Sequence, residues 1–154
     1  MTFKEELELV LKKELLVLRE LKDLTFEKTD LVIGNKIREL EAMTRKEEEL
    51  INKVALLEDE RSRLMDTWGL MASTPISDII EKIKEDKDQL IKIRDEMHSL
   101  MEELYVRNKL NSDLIQENLS WIDFNINLIG DVHNQPNYGK DNKKANMNLF
   151  DRKV

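Results

Sequence analysis

Along most of the chain apolar residues recur at every third and fourth position, and between residues 2 and 129 only Gly34, Gly69 and Pro75 interrupt the pattern. Such spacing predicts amphipathic helices, and no run alternates with the period of two that a half-buried strand needs. The first helix is expected over about 2–33, with Phe3, Leu7, Val10, Val17, Leu21, Leu24 and Leu31 on one face and Glu14 and Lys28 as polar entries in that stripe. Gly34 should supply its C-terminal cap and Asn35 the start of the next helix. The second helix, about 35–66, carries Leu40, Met43, Leu50, Val54, Leu57 and Leu64, continued by Trp68. Glu47 and Arg61 interrupt its stripe and read as partly exposed charges whose stems cover apolar surface. Thr74 before Pro75 marks a third start, since proline at the first helical position loses no hydrogen bond. With neither Gly nor Pro at 76–129, the spacing predicts one continuous helix over about 75–129, roughly 80 Å long. Its early face carries Ile76, Ile79, Ile80, Ile83, Leu90, Ile93, Met97, Leu100, Met101 and Leu104.

These elements make an all-α chain: an elongated antiparallel helical hairpin plus a long third helix, a three-helix coiled-coil-like bundle over 1–130. Residues 131–154, rich in amides and turn formers without periodicity, read as a mobile tail. If the third helix doubles back parallel to the first, it outruns the hairpin near residues 105–108, leaving an overhang. There the sequence "RNKLNSDLIQENLSWIDFNINLI" sets Asn111, Asn118 and Asn125 at heptad spacing, with Asn108 three residues ahead. Flanking them are Leu114, Trp121 and Leu128, then Ile115, Ile122 and Ile129, and on the other side Leu119 and Ile126. A buried amide without a partner costs about 1–3 kcal/mol, so asparagines down the centre of an apolar face imply a partner that pairs with them. In that role they fix register and reject mismatched partners. Self-association through this face, or a break near Asn111 that folds the helix back onto the bundle, are the alternatives.

Charge and composition narrow the function classes. The segment 131–154 holds five Lys/Arg against three Asp, net +2, so the rest of the −7 chain stands at −9. An acidic body repels phosphate backbones, which disfavours nucleic-acid binding. With no cysteine there are no disulfides or thiolate metal sites. The N-terminus is interrupted by charge every few residues, unlike a signal peptide, and no stretch approaches the ~18 apolar residues of a membrane span. A soluble cytoplasmic protein is expected. His98 and His133 have no second ligand at metal spacing. Carboxylate runs such as Glu47-Glu48-Glu49 and Glu58-Asp59-Glu60 read as solvated helix faces. No phosphate loop or nucleophile order is present, so neither an enzyme nor a cofactor is expected. In the tail, Leu149-Phe150 is an apolar pair beside Asp151-Arg152-Lys153 and reads as a short docking motif for a client, the chain's own groove or another machine.

Several ordered features carry a resemblance: "KKELLVLRELKDL" in the first helix, the "GN" break at Gly34-Asn35, "KEEELINKVALLEDER" over 46–61, "LYVRNKLNSDLI" over 104–115 with Asn108 and Asn111, and the ending "YGK…NLFDRKV". Together they resemble the FlgN-type flagellar export chaperones, which attend hook–filament junction proteins before secretion. The resemblance implies a cytoplasmic, nonenzymatic helical chaperone for type III export. It would bind the helical C-terminal region of its clients through its own C-terminal part, with the flagellar export gate as a further contact. On this reading the partner-binding residues are Asn108, Asn111, Leu114, Ile115, Asn118, Leu119, Trp121, Ile122, Asn125, Ile126 and Ile129, with Leu149 and Phe150 in the tail. The rival readings are a homo-oligomeric structural coiled-coil protein and a helical regulator that sequesters another protein.

Overall fold

The computed structural model describes residues 1–129, with the side chains of 121, 122, 125 and 129 left aside. It contains α1 (Phe3–Ile33), α2 (Ile37–Thr67), α3 (Ile76–Lys82) and α4 (Asp88–Ile129), and no strand among the described residues. No helix among them is long and apolar enough to cross a membrane.

α1 begins with a capping box: Glu5 N–H donates to Thr2 Oγ1 at 3.2 Å while Thr2 N–H donates to Glu5 Oε2 at 2.9 Å. Two orphan donors of the first turn are thereby satisfied reciprocally. Its end differs from expectation in one residue. Gly34 stays right-handed (φ −81°, ψ 0°), and it is Asn35 that turns left-handed at φ 53°. Lys36 N–H then reaches Leu31 O at 3.0 Å and Asn35 N–H reaches Val32 O at 3.2 Å, the paired bonds of a Schellman cap. Asparagine therefore closes the first helix, and Lys36 precedes the second without any side-chain cap. α2 ends on the same motif, with Gly69 left-handed (φ 74°) and Leu70 N–H on Met65 O at 2.8 Å.

α1 is the central helix, packed closely by α2 on one side and α4 on the other, while the α2 and α4 backbones stay more than 8 Å apart. This explains why its buried face is wider than the stripe read from the sequence. Glu14 and Lys28 turn toward α2; Thr25, Thr29 and Val32, along with Leu7, Leu11, Leu15 and Leu18, fill the face and the side toward α4. The main core joins these leucines to Met65, Ile79, Ile80, Leu90, Ile93, Leu100 and Leu104. A second, smaller cluster of Val32, Leu40 and Ile115 sits at the hairpin end.

The polar entries are paired rather than half-exposed. Lys28 Nζ lies 3.2 Å from Glu47 Oε1, both side chains at most 3% exposed, and Arg61 Nη1 donates to Glu14 Oε2 at 3.0 Å. Both pairs sum to the same residue number, 75, as one antiparallel register requires. The expectation that Glu47 and Arg61 merely cover surface is corrected for Glu47, which is fully buried.

The continuous third helix over 75–129 is also corrected: the chain leaves the helix at Ile83 (φ −76°, ψ 128°) and resumes it at Asp88. No Gly or Pro causes this break. Residues 84–89 are all charged or polar, so they contribute nothing to a core. Two of them satisfy backbone groups that the break releases: Asp86 Oδ1 accepts from Asp88 N–H at 3.1 Å, and Lys87 Nζ reaches Ile80 O at 3.4 Å. Separating the two helices lets α3 fold Ile79 and Ile80, each 2% exposed, into the core that holds Leu7 and Leu11. A break near Asn111 does not occur; α4 is helical throughout that region.

Candidate functional site

The break shifts the register of everything after it. Thr29 pairs with Asn111 and Asn35 with Asn118, separations of 82 and 83 residues. Counting from Pro75 against the start of α1 places α4 about ten residues too far along, because residues 76–87 are spent on α3 and the connection. Consequently α4 does not leave the hairpin at residues 105–108. It stays packed on α1 through Leu119, which lies with Leu114 against the Val32, Leu40 and Ile115 cluster.

Two of the asparagines therefore have partners in their own chain. Asn111, 2% exposed, donates from Nδ2 to Thr25 O at 3.0 Å, and its Oδ1 accepts from Thr29 Oγ1 at 2.6 Å. One heptad on, Asn118 Nδ2 donates to Val32 O at 3.1 Å and to Asn35 Oδ1 at 3.2 Å. Val32 O belongs to the last turn of α1, where helix carbonyls lack an intrahelical donor. Asn118 thus ties α4 to the cap that closes the hairpin. Beside them Arg107 stacks its guanidinium 3.8 Å above the Phe26 ring and reaches Thr29 Oγ1 at 3.4 Å. The signal for this network was in the sequence as Thr25 and Thr29, one turn apart on α1, but only the register shift brings them opposite Asn111.

The expected contact residues now fall into three groups. Asn111 and Ile115 are buried, and Leu114, Asn118 and Leu119 partly so, all within the bundle. Asn108 is half-buried at one end of a groove described below. Beyond Leu119, Ile126 is 61% exposed and is accompanied by Phe124 at 59% and Leu128 at 66%. The side chains of Trp121, Ile122, Asn125 and Ile129, and the whole of Leu149 and Phe150, lie outside the described residues.

Sequence reasoning missed the groove between α2 and α4. The backbones of these helices stay more than 8 Å apart, and the space between them forms a groove over α1, with buried Leu18 and half-buried Leu21 as its floor. Ile51 and Val54 of α2 form one wall; Met97, Met101, Leu104 and Tyr105 of α4 form the other. Its volume is about 420 Å³, and Glu14, Glu58 and Arg61 supply the polar groups. Burial pushes the Glu14 carboxyl up to about 6, against the opposing pull of Arg61.

No group of three His, Cys, Asp or Glu able to hold a metal occurs among the described residues. His98 is exposed on α4 and sits 3.2 Å from Glu102 one turn away. What the surface offers is apolar area beside a rigid scaffold, which suits binding.

Comparison with known proteins agrees with this character. No solved structure matches the chain. It is 28% identical over 150 residues to the uncharacterized protein YvyG of Bacillus subtilis (strain 168), an alignment covering 92% of this chain and 94% of that one. The family model described as FlgN protein matches residues 1–146, nearly the whole length, and the chain therefore belongs to the FlgN family.

Proposed function

We propose that this chain is a cytoplasmic flagellar export chaperone that binds the helical C-terminal region of hook–filament junction proteins and keeps them soluble and competent for type III export. Family membership supports the chaperone role. The observation that carries the binding surface is the exposure of Phe124, Ile126 and Leu128 on the stretch of α4 that no longer has α1 beside it. Phe124 and Leu128 flank one side of α4 and Ile126 the other; a client helix covers the side on which the sequence spaces Ile122, Ile126 and Ile129 at four and three, in the helix-in-groove mode. Each large side chain covered contributes about 1.5–3 kcal/mol gross, reduced by the costs of association, so release remains feasible. Residues beyond Leu119, including Trp121, Ile122, Asn125, Ile126 and Ile129, make up the contact; Asn111, Ile115 and Asn118 support it by holding α4 in register. The reading needs no cofactor and no catalysis.

The test is calorimetric titration of a purified hook–filament junction protein into the full chain and into Ile126→Asp/Leu128→Asp. Loss of binding of at least about a hundredfold, equivalent to roughly 2.8 kcal/mol, with helicity and urea midpoint unchanged, is expected. Undiminished affinity in the folded variant would remove this surface from the interface.

A further inference from the structure

The groove on α1 between α2 and α4 is apolar, open and uncovered by any described residue, and it is distinct from the exposed end of α4. We infer that its occupant is this chain's own C-terminal segment, with Leu149 and Phe150 seated between Val54 and Met101. The inference stands independently of which client the chain binds.

Size is the first argument. About 420 Å³ is near the lower end of the range in which pockets hold small apolar ligands, room for two large side chains but not for a helix some 10 Å across. Within 131–154, Leu149-Phe150 is the one adjacent pair of large apolar residues. Reach is the second. Tyr105 lies 24 residues before Ile129 on α4, about 36 Å back along the helix. The twenty residues from Gly130 to Leu149 span up to about 65 Å when extended. Charge is the third. Residues 131–154 are net +2 against −9 for the rest of the chain. Lys143 and Lys144 precede the pair, Arg152 and Lys153 follow it, and Glu58 stands at the groove. Tethering makes the encounter intramolecular, which raises the local concentration of the segment without new contacts. A covered groove means that anything else binding there must first displace the chain's own end.

The chain has no cysteine, so introduced pairs report cleanly. Asp151→Cys is combined in the full chain with Val54→Cys, with Met101→Cys, or with Leu56→Cys, which is 71% exposed on another face of α2. Disulfide formation under mild oxidant is followed by non-reducing electrophoresis at several dilutions. Intramolecular cross-linking to both groove positions about tenfold faster than to Leu56→Cys, a difference set by effective concentration, is expected, and Leu149→Asp/Phe150→Asp should bring it down to the control rate. Equal rates at all three positions overturn the inference. So does cross-linking that vanishes on dilution, because the occupant is then a second copy.

Discussion

Asn111 and Glu14 show how single polar residues inside an apolar stripe acquire different consequences from their neighbours. Asn111 has both ends of its amide satisfied by α1. Asn111→Ala should lower stability by about 1–3 kcal/mol by leaving buried groups without partners, read from the urea midpoint; a change below about 0.5 kcal/mol would mean that the network is decorative. Glu14 is raised to about 6 from 4.5, chiefly by burial and against the attraction of Arg61. The folded state therefore binds its proton more tightly than the unfolded state. Its contribution favours folding fully below about 4.5 and is lost as pH rises through about 6. Wild type should weaken relative to Glu14→Gln by about 2 kcal/mol between pH 4.5 and 7, and parallel stability curves for the two would sink the assignment.

At the scale of elements, the hairpin register is set by charge as much as by leucine. Lys28 and Glu47 are almost fully buried, and neither Glu47 oxygen gains a well-formed hydrogen bond. Buried pairs of this kind contribute little net stability but punish a missing partner. Lys28→Met alone should cost about 3–5 kcal/mol, while Lys28→Met/Glu47→Leu should return close to wild type or above it. A double-mutant cycle in chemical denaturation measures this; a double variant as weak as the sum of the singles would show that the two side chains are not coupled and would sink the prediction. Legibility at this scale was partial. All four polar entries, Glu14, Lys28, Glu47 and Arg61, are visible in the sequence as exceptions in two stripes, but only the folded register pairs Lys28 with Glu47 and Glu14 with Arg61. The α3–α4 break was not legible, since it arises from side chains bonding to backbone at Asp86 and Lys87, a choice that helix propensity does not reveal.

For the whole molecule, the consequence of that break is where support for α4 ends. With α1 closing at Ile33 and a separation of 83 residues between Asn35 and Asn118, the scaffold stops near Leu119. Hydrogen exchange should show α4 amides protected up to about residue 119 and exchanging at least about tenfold faster over 120–129, where opening needs no disruption of the core. Uniform protection to Ile129 would mean that this stretch is covered in solution by something else. Adding a bound client should raise protection there and leave the amides around Leu90 and Ile93 unchanged.

The sequence by itself determined the helical class, the two hairpin helices, the apolar faces and the presence of an asparagine series that must have partners. Local spacing suffices for these, because helix periodicity and caps act over one or two turns. Which partners those asparagines take was decided only by tertiary structure. From the sequence Asn111 and Asn118 read as contacts to a partner; the break after Ile83 moves α4 along α1 and gives both amides partners within the chain. The groove had the same origin: it exists because α2 and α4 both choose α1 and not each other, a choice made by packing across the whole bundle rather than by any one stripe.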